Sequence, residues 1–373
     1  GGSENLKSVG VLGWELPPFF AGGLGIHTLN LFSILGKILD ITLYIPKFTD
    51  KDIHYNFKVK MVNYDPVGSP YERNKEFYQK VMDYNEILIN EFDKDHDIIH
   101  MHDWITVPAG IKLKEKYRKK LVFTVHSTEY DRSGWFYPQE RILKIEKEGM
   151  MAADRIIAVS HYTKKIISEK FSINPAKVTV IHNGVKSSLF SSFNKNYDLK
   201  NKVLYFGRVT PQKGSKFFIE AAYKVNKYIP SAEFIVAGEG DQLNEIKNFS
   251  KSLGLENTVN FYGFVSESES VRLYLDSDVF ILPAVSEPFG MTVIESLSVG
   301  TPAIISKTTG VGEALNNVLK ADFWDTDKIA NYIIAVLKHR KLRETLGNFG
   351  KLEASRFSWE NTALKTLEVY NSL

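Results

Sequence analysis

Short apolar runs, each followed by a stretch of helical periodicity, recur along the chain, and that alternation admits few folds. Val9 to Gly13, Ile41 to Ile45, about Phe57 to Val62, Leu121 to Val125, Arg155 to Val159 and Val178 to Ile181 read as strands. Asp97 to Trp104 reads as a strand running into a loop. The pattern stops over Lys186 to Lys200, rich in Ser, Asn and Lys, which reads as an interdomain linker. It resumes with Val203 to Phe206, Ala232 to Ala237, Val259 to Tyr262 and Val279 to Leu282. Strands separated by helices form parallel sheets, so the expectation is two doubly wound α/β domains facing a central cleft. A length of 373 residues agrees, being more than one core usually serves.

The most informative stretch is Asp278 to Gly300. Val279 to Leu282 is short enough for a buried strand, and Pro283 stops it. A loop carrying Glu287 follows; then Met291, Val293, Ile294 and Leu297 fall on one helical face until Gly300-Thr301-Pro302. A helix that begins just after a parallel strand aims its free N–H groups at the crevice above the sheet. The amides around Gly290, Met291 and Thr292, after Phe289, would suit a diphosphate. Glu287 and Glu295 could then reach sugar hydroxyls on opposite sides of it. The competing reading is one loop carboxylate and one solvated helix carboxylate.

Three further loops carry candidates. Gly207-Arg208 and Lys213-Gly214 follow the strand at Val203 to Phe206. Two cations five apart between strand and helix suit a diphosphate, arginine as a planar fork and lysine as a point charge; the alternative is a surface loop. His126 ends a strand, where it faces either the crevice or a neighbouring backbone group. Gly22 and Gly23 lie between the first strand and an apolar helix running to about Ile38. Their spacing fits neither G-x-G-x-x-G nor a P-loop, and a tight turn competes with close approach to a ligand. Trp135, Phe136 and Tyr137 form an aromatic loop that either touches a sugar acceptor or plugs a core.

Glu287-Pro288-Phe289-Gly290 with Glu295 resembles the E-x7-E signature of retaining glycosyltransferases of family four, relatives of the glycogen and starch synthases. Gly207-Arg208 with Lys213-Gly214, the segment ending at His126, and His182-Asn183-Gly184-Val185 are similar to other segments of that family, in the same order. The resemblance implies a GT-B fold and transfer of a sugar from a nucleotide-sugar, with retention. Domains would span 1–188 and 189–357, with a final helix over 358–373 crossing back onto the first. It implies Glu287 and His126 beside the donor sugar, Arg208 and Lys213 on the leaving diphosphate, and Glu295 on the ribose. The Gly22–Gly23 loop would face the donor phosphates, and the loop reaching Val265 would line the base through its backbone. Bacterial glycogen synthases carry lysine and threonine where this chain has Phe20 and Ala21.

The opening Trp14 to Phe19 with Gly22 to Gly25 looks like archaeal-type glycogen synthases. The expected reaction is therefore transfer of glucose, from UDP-glucose or ADP-glucose, to an α-glucan. The alternative is a family-four enzyme making a disaccharide or glycolipid; a non-catalytic nucleotide-sugar-binding protein is a third class. No cofactor is expected, the nucleotide-sugar being a substrate. No metal is expected either: His100 and His102 alternate onto one face, but no Asp, Glu or Cys cluster follows at zinc spacing. A net charge of +3 argues for neither nucleic acid nor a membrane surface. Cysteine is absent, and no apolar run reaches membrane-spanning length, so a cytoplasmic location is the expectation.

Overall fold

The computed structural model describes residues 7–17, 23–65 and 75–373. They form two compact units. One gathers the described residues up to Glu129 with Pro138–Asn183 and Trp359–Leu373; the other gathers Tyr130–Tyr137 and Gly184–Ser358.

The first unit is built on β1 (Ser8–Leu12), β2 (Asp40–Pro46), β3 (Lys58–Val62), β4 (Ile98–His102), β5 (Lys120–Val125), β6 (Arg155–Ala158) and β7 (Val178–Val180). They lie in the order β3-β2-β1-β4-β5-β6-β7, every neighbour parallel. Helices cover both faces of such a sheet, which is why its strands read as unbroken apolar runs. All five residues of β4 are buried. The order turns between β1 and β4, so the loops leaving those two strands diverge to opposite faces and open a crevice at their C-terminal ends. The helix Gly23–Leu35 follows β1. The last helix, Trp359–Asn371, packs on it, and its Tyr370 hydroxyl hydrogen-bonds His100 Nδ1. A helix spans Lys75–Glu91 before β4; Phe20, Ala21 and Gly22 lie outside the described residues.

The second unit carries β8 (Lys202–Phe206), β9 (Glu233–Ala237), β10 (Val259–Gly263), β11 (Val279–Leu282), β12 (Ala303–Ser306) and β13 (Leu319–Ala321). The order is β10-β9-β8-β11-β12-β13, again all parallel, with the turning point between β8 and β11. Tyr205, Phe218, Phe234, Val236, Ile281 and Ile333 are among the residues of its core. The short edge strand β13 is not legible in the sequence, because two of its three residues are only partly buried and leave no apolar run.

The stretch read as a linker is not a free tether. Lys195 Nζ donates to the carbonyls of Tyr274, Leu275 and Ser277, and the Tyr197 hydroxyl donates to Gly300 O. Polar residues without periodicity here serve as anchors for buried carbonyls at helix ends, which composition alone does not distinguish from solvation.

Candidate functional site

Two loops meet where the second sheet's order turns. The first, after β8, runs through Gly207 and Arg208 to Lys213 and Gly214; the second, after β11, runs from Pro283 to Gly290. Val285 N donates to Gln212 O at 2.9 Å, and Gln212 Nε2 donates to Ser286 O at 3.1 Å. Gly214 has φ +70°, and a Cβ there would sit 1.9 Å from Pro283 O, so glycine permits the close contact between the loops. The result is an ion pair between Lys213 Nζ and Glu287 Oε2, residues 74 positions apart. Glu287 is otherwise fixed by its backbone: its N–H donates to Thr308 O at 2.9 Å, and its carbonyl accepts from Gly310 N at 2.8 Å.

Gly290, at φ +105°, turns the chain into the helix Met291–Ser298. Val293, Ile294 and Leu297 bury one face, while Met291 and Thr292 at the first turn stay partly exposed. First-turn amides have no partner within their own helix, so this end is suited to an anion. Phe289, 3% exposed, packs against Phe357 and holds the turn in place. Arg208 is partly buried, with the Tyr205 hydroxyl donating to its carbonyl.

Glu295 lies further along the helix. Burial raises its carboxyl to about 8, with Glu267 adding to the rise and the hydrogen bond from Tyr274 opposing it. Tyr274 donates to Glu295 Oε2 at 3.1 Å, and its own hydroxyl is held well above the usual tyrosine range, chiefly by burial. Glu295 therefore keeps its proton at neutral pH and can both donate and accept, as recognition of a diol requires. Val265 is placed in the loop between β10 and the helix Glu267–Leu275, the helix that supplies Tyr274.

The aromatic loop belongs to the second unit and is not a core plug. Phe136 is 70% and Tyr137 81% exposed, and Trp135 stacks on Tyr130. In the same segment Asp131 Oδ1 accepts from the buried Ser286 Oγ, a contact with the Glu287 loop that no sequence signal marks.

In the first unit His102 closes β4 and His126 follows β5, while His27 stands on the helix after β1. Asp103, at φ +54°, turns its carboxylate onto the backbone: Oδ1 accepts from His126 N at 2.7 Å. His102 Nδ1 and His126 Nε2 lie 2.9 Å apart, and the His27 ring stands edge-on to His126 at 4.4 Å. Burial lowers His126 to about 3 and holds His27 and His102 well below the usual histidine range. Gly23 is exposed, and a Cβ there would meet open space; Gly22 lies outside the described residues. Sequence reasoning passed over Glu15, which is 2% exposed and accepts from Gly25 N at 3.1 Å, closing the start of that helix. Its one signal is an acid in an otherwise apolar run just after a strand. An open cavity of about 810 Å³ at the β2–β3 edge, lined by residues such as Lys47, Asp50 and His54, shares no residue with either group.

Residues 21–189 match the model described as Glycosyltransferase Family 4, and residues 189–353 match Glycosyl transferases group 1. An uncharacterised glycosyltransferase of Methanocaldococcus jannaschii is 28% identical, over 97% of each chain. A glycogen synthase of Mycobacterium tuberculosis is 25% identical over 96% of this chain and 93% of its own. A mannosylfructose-phosphate synthase of Agrobacterium fabrum is also 25% identical, over 94% of this chain and 87% of its own. Among solved structures, sucrose-phosphate synthase from Thermosynechococcus elongatus superposes with a TM-score of 0.83 at 19% identity, covering 98% of each chain. HepE of Anabaena, solved with UDP and glucose, gives 0.77 at 18% identity, covering 99% of this chain and all of its own.

Proposed function

We propose that this chain, a nucleotide-sugar-dependent glycosyltransferase of the GT-B type related to the family 4 and group 1 enzymes, moves a hexosyl group, with retention, onto a small sugar or sugar-phosphate acceptor. The reading rests on one observation: the Lys213–Glu287 pair beside Arg208 and the Gly290 turn, at the reversal point of a parallel sheet. A donor diphosphate entering there takes up the lysine charge and the amides around Met291. Glu287 is freed to hold the sugar hydroxyls, and Glu295 with Tyr274 takes the ribose. As the C1–oxygen bond breaks, negative charge grows on the diphosphate, and Arg208, Lys213 and the helix end stabilise it. Each such charge is worth about 3 kcal/mol of barrier, a rate factor of order a hundred. The acceptor oxygen attacks from the side the diphosphate leaves, and its proton passes to the departing oxygen. His126 is assigned to the sugar side of the donor. Cations and amides already balance the leaving charge, so turnover is expected in EDTA.

The acceptor is drawn from the relatives. Mannosylfructose-phosphate synthase is as similar to this chain as glycogen synthase is, and a D-inositol 3-phosphate glycosyltransferase of Segniliparus rotundus is 24% identical over 99% of the chain. Phe20 and Ala21, in place of lysine and threonine, also speak against the bacterial glucan enzyme. An α-glucan acceptor is the second reading, favoured by the M. tuberculosis relative and the glycine-rich opening.

The test is to incubate the protein with UDP-, ADP- or GDP-glucose and, separately, hexose phosphates, inositol phosphate, free hexoses and glycogen. Nucleoside diphosphate release and product mass are then measured. A phosphorylated disaccharide-type product with an α linkage is expected. Elongation of glycogen alone would install the second reading, and no transfer to any acceptor would defeat both.

A further inference from the structure

The crevice of the first unit's sheet gathers three histidines, of which the proposed transfer uses His126 alone. His27, His102 and His126 come from three different elements and converge at the C-terminal ends of β4 and β5, beside the turning point of the sheet. One ring nitrogen of each lies within 4.8 Å of the others. His27 is 3% exposed, yet its Nδ1 has no hydrogen-bond partner among the described residues. A buried ring nitrogen without a partner costs free energy that packing does not return.

The neighbouring His100 shows what a satisfied core histidine looks like in this fold. Its Nδ1 meets the Tyr370 hydroxyl and its Nε2 meets Thr124 Oγ1 at 2.7 Å. Of the three convergent rings, His102 and His126 share a single hydrogen bond with each other, and His27 Nδ1 has none among the described residues. Asp103, the nearby acid, is turned onto the backbone of His126 and Ser127.

We propose that His27, His102 and His126 form a site for one divalent transition-metal ion of the zinc class, held by three neutral imidazoles with its fourth position open. The donor set selects the ion. Imidazole suits Zn²⁺, Co²⁺ and Ni²⁺, whereas Mg²⁺ and Ca²⁺ require oxygen ligands, and the three donors grouped among the described residues are all nitrogens. Two nitrogens on one tetrahedral zinc stand about 3.3 Å apart, given Zn–N bonds of about 2.0–2.1 Å. His102 Nδ1 and His126 Nε2, at 2.9 Å, need to part only slightly. The proton now between them moves to the other nitrogen of its own ring, so both stay neutral. Phe32 against His102 and Trp359 against His27 wall the site with aromatic surface and limit competing water. His126 is only partly buried and leaves an approach open. A bound ion would draw His126 away from the sugar, so zinc is expected to inhibit; this clause alone rests on the role assigned to His126.

The chelator-treated protein is titrated with Zn²⁺ against a chromophoric competitor, and with Co²⁺ by visible absorption. One ion per chain is expected, with the strong bands of tetrahedral Co²⁺. His27→Gln should weaken binding at least tenfold, and His161→Gln, on an exposed helix start, should not. Zinc-edge absorption of the unaltered protein should show imidazole shells, a readout that stands if the variant folds poorly. Absence of stoichiometric binding, or equal binding by His27→Gln, would overturn the site. Binding with unchanged turnover would keep the site and count instead against His126 in sugar transfer.

Discussion

Replacing Gly214 by alanine tests whether the two loops of the second unit act as one device. The new Cβ would lie 1.9 Å from Pro283 O, so the loops must separate by about 1.5 Å to reach ordinary contact. The residue is also left at φ +70°, which costs a non-glycine about 1 kcal/mol. The helix Ser215–Asn226 and β11 lie behind these loops in a packed core and need not move. The strain therefore falls on the Gln212–Val285 hydrogen bond and the Lys213–Glu287 pair. Misplacing a charge-stabilising group by about 1 Å costs of order a hundredfold in rate. We expect kcat to fall by about two orders of magnitude, with a stability loss of about 2–3 kcal/mol, or roughly 5–10 °C in Tm. Steady-state release of nucleoside diphosphate, beside thermal melting of the same preparation, makes the measurement. A variant that melts lower but turns over within threefold of the parent would refute the claim that this contact sets the charges.

Lys213→Ala should stay folded and lose about a hundredfold in kcat, with partial recovery in Lys213→Arg; near-normal turnover would remove its leaving-group role. Glu295 has a folded pKa raised from 4.5 to about 8, so its contribution to stability is complete at low pH and is lost as pH rises between those values. Denaturant melts should show the parent losing at most about 1.4 kcal/mol per pH unit relative to Glu295→Gln, levelling off above about 8; parallel curves would contradict the burial argument. Lys195→Met removes the donor that the Tyr274, Leu275 and Ser277 carbonyls share, although Tyr274 O keeps Thr301 Oγ1, and should cost about 2 kcal/mol by urea denaturation. A neutral result would return that stretch to a solvated tether.

The sequence by itself determined the architecture and the residue types at the ends of the strands. Apolar runs such as Val279–Leu282, stopped by Pro283, are short enough for buried strands, and the helical spacing from Met291 to Leu297 gives a helix with one apolar face to cover the sheet. Periodicity records burial, so β1, β4, β8 and β11 were legible, while the partly buried β13 was not. Spacing also flagged Arg208, Lys213, Glu287 and Glu295, because each sits in or just beyond a strand–helix turn. What the tertiary structure decided is which of those turns meet. Strand order is not encoded in periodicity, so nothing local joins Lys213 to Glu287, or Asp131 to Ser286. The same holds for the histidines. His100 and His102 looked paired because alternation places them on one face, and their rings do stack at 4.3 Å. Only the adjacency of β1, β4 and β5 brings His27 and His126 to His102, and burial leaves His27 Nδ1 without a partner among the described residues.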